Sequence, residues 1–271
     1  VDPEFVPEGV DLERPNAARI YDWALGGTAN WAVDREFGEQ LVKAFPLIRT
    51  GARANRAFLG RAVRYCVENG VTQFLDLGSG VPTVGNVHEI ADDVDSDSRC
   101  VYVDNEPVAV AHAKILLEKG GDPARHAVIG GDLRDADDVW ERAFDTGVLD
   151  PAKPVALLTV AVLHFVPGPE LGGIIARYRR LLPAGSFYVL SHVTMSGVEG
   201  DELEQIQRVV KQYDQSSTPA SFRDREEILS FFGDFELVEP GLVPVGAWRL
   251  DDPGSPTLNC GIGGVARKPA F

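Results

Sequence analysis

Between Phe74 and Val193 the chain keeps switching from a short apolar run to an amphipathic stretch and back, and this alternation constrains the fold more than any other feature. Phe74 to Leu77 reads as a buried strand, followed by a helix through "NVHEIADDV". Cys100 to Val103 is a second strand, and "PVAVAHAKILLEKG" is an amphipathic helix stopped by glycine. "HAVIGGDLRD" supplies a third strand and "ADDVWERAFDTG" a helix. "PVALLTVAVLHF" reads as one long apolar strand, "PELGGIIARYRRLLPAG" as the next helix and "SFYVLSHV" as a fifth strand. Strands joined through helices run parallel, and right-handed crossovers put those helices on both faces of the sheet. The expected fold is α/β, a doubly wound and mostly parallel sheet.

The flanks read differently. Residues 1 to 14 form an acidic, proline-containing lead-in expected to be extended. From Pro15, "PNAARIYDWALGGTANWAVDREFGEQLVKAF" carries apolar residues at helical spacing, broken by Gly26-Gly27, which predicts two short helices around a glycine turn. A third helix runs from about Thr50 to Glu68 and stops at Asn69-Gly70. Residues 1–69 are therefore expected to be an N-terminal helical layer or lid, and 70–271 the sheet domain. Beyond Val193, helices are expected near 199–214 and at "DREEILSFFG". "FELVEPGLVPVGAW" and "CGIGGVARKP" then look like two strands with a proline-rich connection. With no helix between them, they should pair antiparallel at the sheet edge.

In an open α/β sheet the ligand lies outside the carboxyl ends of the strands. After the first strand come Asp76, Gly78, Ser79 and Gly80, in "DLGSGVPTVGN". A dinucleotide loop needs a third glycine where Thr83 stands, so that the helix amides can press on pyrophosphate. No Gly-Lys-Ser/Thr follows, which excludes a P-loop, and Pro82 removes one amide donor. The turn permits close approach by a ligand but is a poor phosphate cradle. Asp104, ending the second strand in "VYVDNEP", can accept from both hydroxyls of a ribose, while its charge repels a 2′-phosphate. Asp132, in "GGDLRD", can accept from an adenine amine, with Leu133 against the ring face. "TVAVLHF" puts His164 beside the same cleft, and His192 follows the fifth strand. Together these strand ends point to an adenosyl ligand without phosphate.

"FLDLGSG", "VYVDNEP" and "GDLRD" resemble successive motifs of the class I, seven-stranded S-adenosylmethionine-dependent methyltransferases. "ARIYDWALGGTANWAVDRE", "NRAFL", "GVPTVGNVHEIA", "VLHFVP", "LSHVT" and "VEPGLV" resemble, more closely, an actinobacterial-type family of S-adenosyl methyltransferases long labelled as of unknown function. The resemblance runs from about Pro15 to Arg267 and implies a Rossmann-like methyltransferase fold whose last strand is antiparallel. It implies S-adenosyl-L-methionine as cofactor, with Asp76, Gly78 and Gly80 around its methionine portion. Asp104 would hold the ribose, Asn105 would lie beside the adenine, and Asp132 with Leu133 would take its amine and face. Val81-Pro82 depart from the common superfamily loop and leave the path of residues 81–85 open.

Methyl transfer relies heavily on alignment, and only a hydroxyl acceptor demands a base. His164 is the candidate for that role, set against a reading as a core or cofactor-shell histidine. Tyr21, Trp23 and Trp31 around two glycines suggest aromatic walls, or simply staples of the helical layer. Tyr21 and Asn30 are placed near cofactor or substrate, and Arg14, Arg19 or Arg35 could neutralise a carboxylate. The expected partner is a small-molecule methyl acceptor. A formal charge of -15, with only "RANR" plus nearby arginines and "RYRR" locally basic, argues against nucleic acid. No apolar stretch reaches the roughly 20 residues of a membrane span, and no signal core opens the chain, so a cytoplasmic location is expected. Cys66, Cys100 and Cys260 lack disulfide or zinc spacing and are expected to be buried thiols, with no metal site. Two other readings stay open: a binding or regulatory protein that keeps the pocket without turnover, and a nicotinamide-dependent oxidoreductase, which the absent third glycine disfavours.

Overall fold

The computed structural model describes residues 6–250 and 258–270. The first five residues of the lead-in, and much of the connection expected before the last strand, lie outside the described residues. The alternating region forms the strands β1 (Gln73–Leu77), β2 (Arg99–Asp104), β3 (His126–Gly130), β4 (Ala156–Val160) and β5 (Phe187–Val193). Helices α4 (Val87–Asp92), α5 (Pro107–Gly120), α6 (Ala136–Asp145) and α7 (Leu171–Leu181) join them. All five strands pair in parallel, in the order β3-β2-β1-β4-β5. The order reverses at β1, so the switch point lies between β1 and β4.

The strands read as continuous apolar runs because both faces are covered. Leu75, Leu77, Val101, Val103, Leu157 and Leu190 face one core with α6 and α7. Phe74, Cys100, Tyr102, Ala156, Leu158 and Val189 face the other, against α3 (Ile48–Glu68) and α4. Phe58, Leu59, Ala62 and Val63 of α3 belong to that second core, so the third N-terminal helix is a covering helix of the sheet itself.

After β5 come α8 (Gly200–Tyr213) and α9 (Arg225–Ser230), as the periodicity predicted. The tail holds β6 (Glu236–Leu237), β7 (Val243–Pro244) and β8 (Gly261–Arg267). β8 runs antiparallel to β5, and β6 and β7 both pair antiparallel with β8. The expected single strand through "FELVEPGLVPVGAW" is thus two very short ones, separated by a turn in which the Gly241 amide donates to Val238 O at 2.8 Å with Gly241 at φ +85°. One path of seven strands ends in β8-β6, with β7 beside it.

A second correction concerns β4. The predicted long strand to Phe165 stops at Val160, because Ala161 adopts φ +57° and Leu163–Phe165 coil into a 3₁₀ turn. Arg223, buried, donates to Leu163 O at 2.9 Å and to Val166 O at 2.8 Å, clamping that turn from outside. His164 therefore sits in a pinned turn and not on the end of a strand.

The two short N-terminal helices are α1 (Ala17–Leu25) and α2 (Ala32–Ala44). Asn16 caps α1 by accepting from the Ala18 amide at 2.8 Å, and Gly26 ends it at φ +89°. Their apolar faces meet α8 in a third cluster that includes Ile20, Phe37, Leu41, Ile206 and Val209. A buried ion pair fixes this layer: Arg19 Nε lies 3.0 Å from Asp34 Oδ2, with side chains 1% and 0% exposed. Asp34 also accepts from the Asn16 and Trp31 amides at 3.0 and 2.9 Å, and Arg19 donates to Asp11 O and Arg14 O.

Candidate functional site

One cavity of about 500 Å³ opens at the carboxyl ends of β1 to β5 and extends beneath α1, α2 and α8. Its floor carries Asp76, Gly78, Ser79 and Gly80 from β1, Asp104 and Asn105 from β2, and Asp132 and Leu133 after β3. Val160 to Val162, His164, Ser191 and His192 continue it past the switch point. A second cavity, against Pro7, Val110 and Lys114, shares Asp104, Asn105, Gly131 and Asp132 with the first.

The glycine turn shows why phosphate is a poor occupant. The amides of Gly78 and Ser79 donate to Val103 O at 2.8 and 3.1 Å, and the Gly80 amide donates to Asp104 Oδ2 at 2.7 Å. Three successive N–H groups are thus turned onto β2 and away from the cavity. Gly78 and Gly80 hold φ +66° and +68°, which side chains rarely adopt. A Cβ at Gly78 would lie 2.2 Å from Val162, whereas at Gly80 it would meet nothing within 4 Å. The loop beyond them, whose path the sequence left open, is tied down twice: Thr83 Oγ1 donates to Asp22 Oδ1 at 2.8 Å, and Arg56 Nε to Val84 O at 2.8 Å.

The acids differ in electrostatics. Burial raises Asp104, against the pull of the Glu106 and Gly80 amides that its two oxygens accept at 2.8 and 2.7 Å. Each oxygen keeps a further lone pair for a ribose hydroxyl. Burial pushes Asp76 up to about 7, opposed by the Arg56 guanidinium and reinforced by Asp104. Burial likewise pushes Glu106 up to about 7; its Oε2 accepts from Asn16 Nδ2 at 2.9 Å, and Arg19 lies 3.6 Å from Oε1. Asp132 faces both cavities, but Arg134 holds it below the usual carboxylate range, with Nε 2.9 Å from Oδ2.

His164 is buried among rings, with its centroid 4.3 Å from Phe165 and 5.2 Å from His192. Burial, then His192 and Arg223, holds its pKa well below the ordinary histidine value, so it is neutral. Its Nδ1 is buried without a hydrogen-bond partner among the described residues. His192 is lowered to about 4 by burial; its Nδ1 donates to Val193 O at 2.6 Å, leaving Nε2 to accept from Arg223 at 3.4 Å.

Of the N-terminal candidates, Tyr21 lines the cavity, accepting from Asn55 Nδ2 at 3.0 Å and donating to Ala52 O at 3.1 Å. Trp23 lines it too, stacked beneath Arg49 at 4.1 Å. Asn30 is not brought to the cavity: its amide donates to Asp22 Oδ2 at 2.7 Å and to Gly27 O at 3.0 Å inside the glycine turn. Trp31 packs with Ala29, Val81 and Val108. Arg14, Arg19 and Arg35 bond to Asp11, Asp34 and Asn30, and none lines the cavity. The cation that does stand beside Asp76 is Arg56, together with the Asn55 side chain that accepts from Ser191 Oγ at 2.6 Å. The locally basic "RANR" lies on α3, and only the position of that helix over the sheet turns Asn55 and Arg56 inward. The three cysteines are free and buried, as expected.

Fold and site together define a class: a doubly wound α/β protein whose strand-end acids line one cavity and whose glycine turn offers no phosphate cradle. The chain belongs to the S-adenosyl methyltransferase family, whose model matches residues 4–269. It is 36% identical to a candidate methyltransferase from Thermobifida fusca YX, over 98% of this chain and 100% of that one, with a TM-score of 0.89. A DUF574 family protein from Streptomyces avermitilis MA-4680 is 35% identical over 95% of this chain and 98% of that one, with a TM-score of 0.87. PigF, solved with SAH, shares the fold at 19% identity and a TM-score of 0.52, over 87% of this chain and 68% of that one. None of the curated proteins matches significantly. The protein is an S-adenosylmethionine-dependent methyltransferase, and the donor set at the strand ends fits that cofactor: buried carboxylates for a ribose and a cation, and an open glycine face. Among the described residues no helix is long and apolar enough to cross a membrane, and no group of three or more His, Cys, Asp or Glu side chains is arranged to hold a metal ion.

Proposed function

We propose that the protein methylates a small molecule held in line with the cofactor between the glycine turn and His164. The observation that carries this reading is the continuity of one cavity from Asp104 and Asp132 to His164 and His192. S-adenosylmethionine supplies an electrophilic methyl on a sulfonium cation. Asp104 would hold the ribose, Asn105, Asp132 and Leu133 the adenine, and Asp76 with Gly78, Ser79 and Gly80 the methionine portion. Arg56 is placed to balance a carboxylate. Helices α1 and α2, within the N-terminal layer of residues 1–69, serve as the cover that excludes water from the transfer site. Tyr21 lies on the underside of that cover.

His164 is the base for a hydroxyl acceptor. Being neutral, it carries a lone pair, and its lowered pKa makes it a weak base that acts through alignment with the hydroxyl. Substituting His164→Ala should lower kcat by about a hundredfold, the usual scale of general-base catalysis, with cofactor affinity nearly unchanged. Turnover of labelled S-adenosylmethionine with cell-extract acceptors, set beside calorimetric cofactor titration, checks this. Equal losses in both would make His164 a shell residue. A protein that binds the cofactor yet yields no S-adenosylhomocysteine with any extract would be a binding protein instead.

The raised Asp76 also predicts a pH effect. With its pKa at about 7, this carboxyl is largely protonated at pH 6 in the free protein, and a bound cation favours the ionised form. Affinity for S-adenosylmethionine should therefore rise with pH, by about tenfold between pH 6 and 8, with proton release on binding. Titrations in buffers of different ionisation enthalpy measure both, and Asp76→Asn should flatten the profile. An equally steep profile in that variant would assign the effect elsewhere.

A further inference from the structure

The cavity has two halves of opposite character. All the charged residues that line it, Arg56, Asp76, Asp104, Glu106, Asp132 and Arg134, stand at the strand-end half or its rim. The other half penetrates the apolar cluster between α1, α2 and α8, where its walls include Leu41, Phe45, Ile206, Val209, Phe165 and Phe222. Among the described residues no charged side chain lines that half.

Protein interiors pack at the density of organic crystals, and unfilled apolar volume costs about 24 cal/mol per Å³. A cluster serving only to hold helices together would collapse around such a void. The cofactor's ribose, base and charged groups match the acids, Arg56 and open glycine face of the strand-end half, which leaves the apolar half to a second molecule. Rings form much of its wall: Phe165 lies 5.4 Å from Tyr213, and Phe222 stands edge-on to His164 at 6.3 Å. An aromatic wall of this kind offers edge and face contacts to a flat ring lying against it. On this wall His164 Nδ1 is buried with no hydrogen-bond partner among the described residues, and the Tyr213 hydroxyl-bearing ring also lines the cavity. A carboxylate or ammonium placed here would be desolvated without an opposite charge. Arg223, behind His192, is committed to Leu163 O, Val166 O and Glu227, and Glu202 is engaged with the Cys260 thiol outside the lining.

We infer that the apolar half is the acceptor site and that its occupant is an uncharged aromatic molecule whose hydroxyl is directed at His164. This rests on the methyltransferase reading above and adds the substrate class. The test is calorimetric titration of 2-naphthol and of 2-naphthoate into protein loaded with S-adenosylhomocysteine. The neutral phenol should bind about tenfold or more tightly than the carboxylate of the same ring system. Val209→Trp, which fills the apolar half, should weaken 2-naphthol by about tenfold while leaving S-adenosylhomocysteine affinity unchanged. Where that variant does not fold, the milder Phe222→Leu should give a loss of about threefold in the same direction. No binding of 2-naphthol to the loaded protein, equal or tighter binding of 2-naphthoate, or 2-naphthol binding indifferent to the folded variants would overturn the inference. A protein that fails to bind S-adenosylhomocysteine in the loading step would instead overturn the cofactor assignment on which the inference stands.

Discussion

Replacing Asp104 by alanine is expected to weaken S-adenosylhomocysteine binding by about a hundredfold or more, since hydrogen bonds to a charged group contribute about 1.5–3 kcal/mol each. The expectation follows from position. Asp104 ends β2, is only 7% exposed, and already uses one lone pair of each oxygen to fix the Gly80 and Glu106 amides. The substitution therefore removes the proposed ribose acceptors and the anchor of the glycine turn together. β2 is held by its ladders to β1 and β3, so circular dichroism should show an intact fold. Calorimetry returning wild-type affinity would place the ribose elsewhere.

The second large effect is on stability. Asp34→Ala should destabilise the protein by about 3 kcal/mol, the cost of removing one partner of a buried ion pair while Glu106, 3.6 Å away, still faces Arg19. Arg19 would keep its charge with a 1% exposed side chain, and the Asn16 and Trp31 amides would lose their acceptor. Chemical denaturation gives the magnitude. Hydrogen exchange should show protection lost first in α1 and α2, whereas β1 to β5, which do not touch this pair, should keep theirs. A midpoint shift below about 1 kcal/mol would show that the pair contributes no more than an exposed one.

The order of strands and helices was legible because each local signal agreed with the others. Apolar runs, amphipathic stretches and glycine stops all described the same βαβ units, and the acids at strand ends inherited their position from them. The misread strand shows the limit. "LLTVAVLHF" is apolar throughout, and hydrophobic pattern alone does not reveal that Ala161 turns left-handed or that Arg223, distant in sequence, captures the carbonyls beyond it. Asn55 and Arg56 were hidden for a similar reason, since a polar pair on an amphipathic helix looks the same whether it faces solvent or a cavity. Asn30 went the other way: a polar residue beside glycines and tryptophans suggested a ligand contact, but the buried Asp22 carboxylate claims its amide. The errors fall where long-range hydrogen bonds override local pattern.

The inward turn of the Gly78, Ser79 and Gly80 amides has a further consequence for selectivity in a cell. Adenosine circulates there mostly as polyphosphates and dinucleotides, which could occupy the same ribose and adenine contacts. Their anionic chains would emerge next to Asp76 and Glu106, with none of the three glycine-turn amides left to receive them. On this arrangement the adenosyl sulfonium would be told from its abundant rivals less by what the site offers the sulfur than by what it withholds from phosphorus.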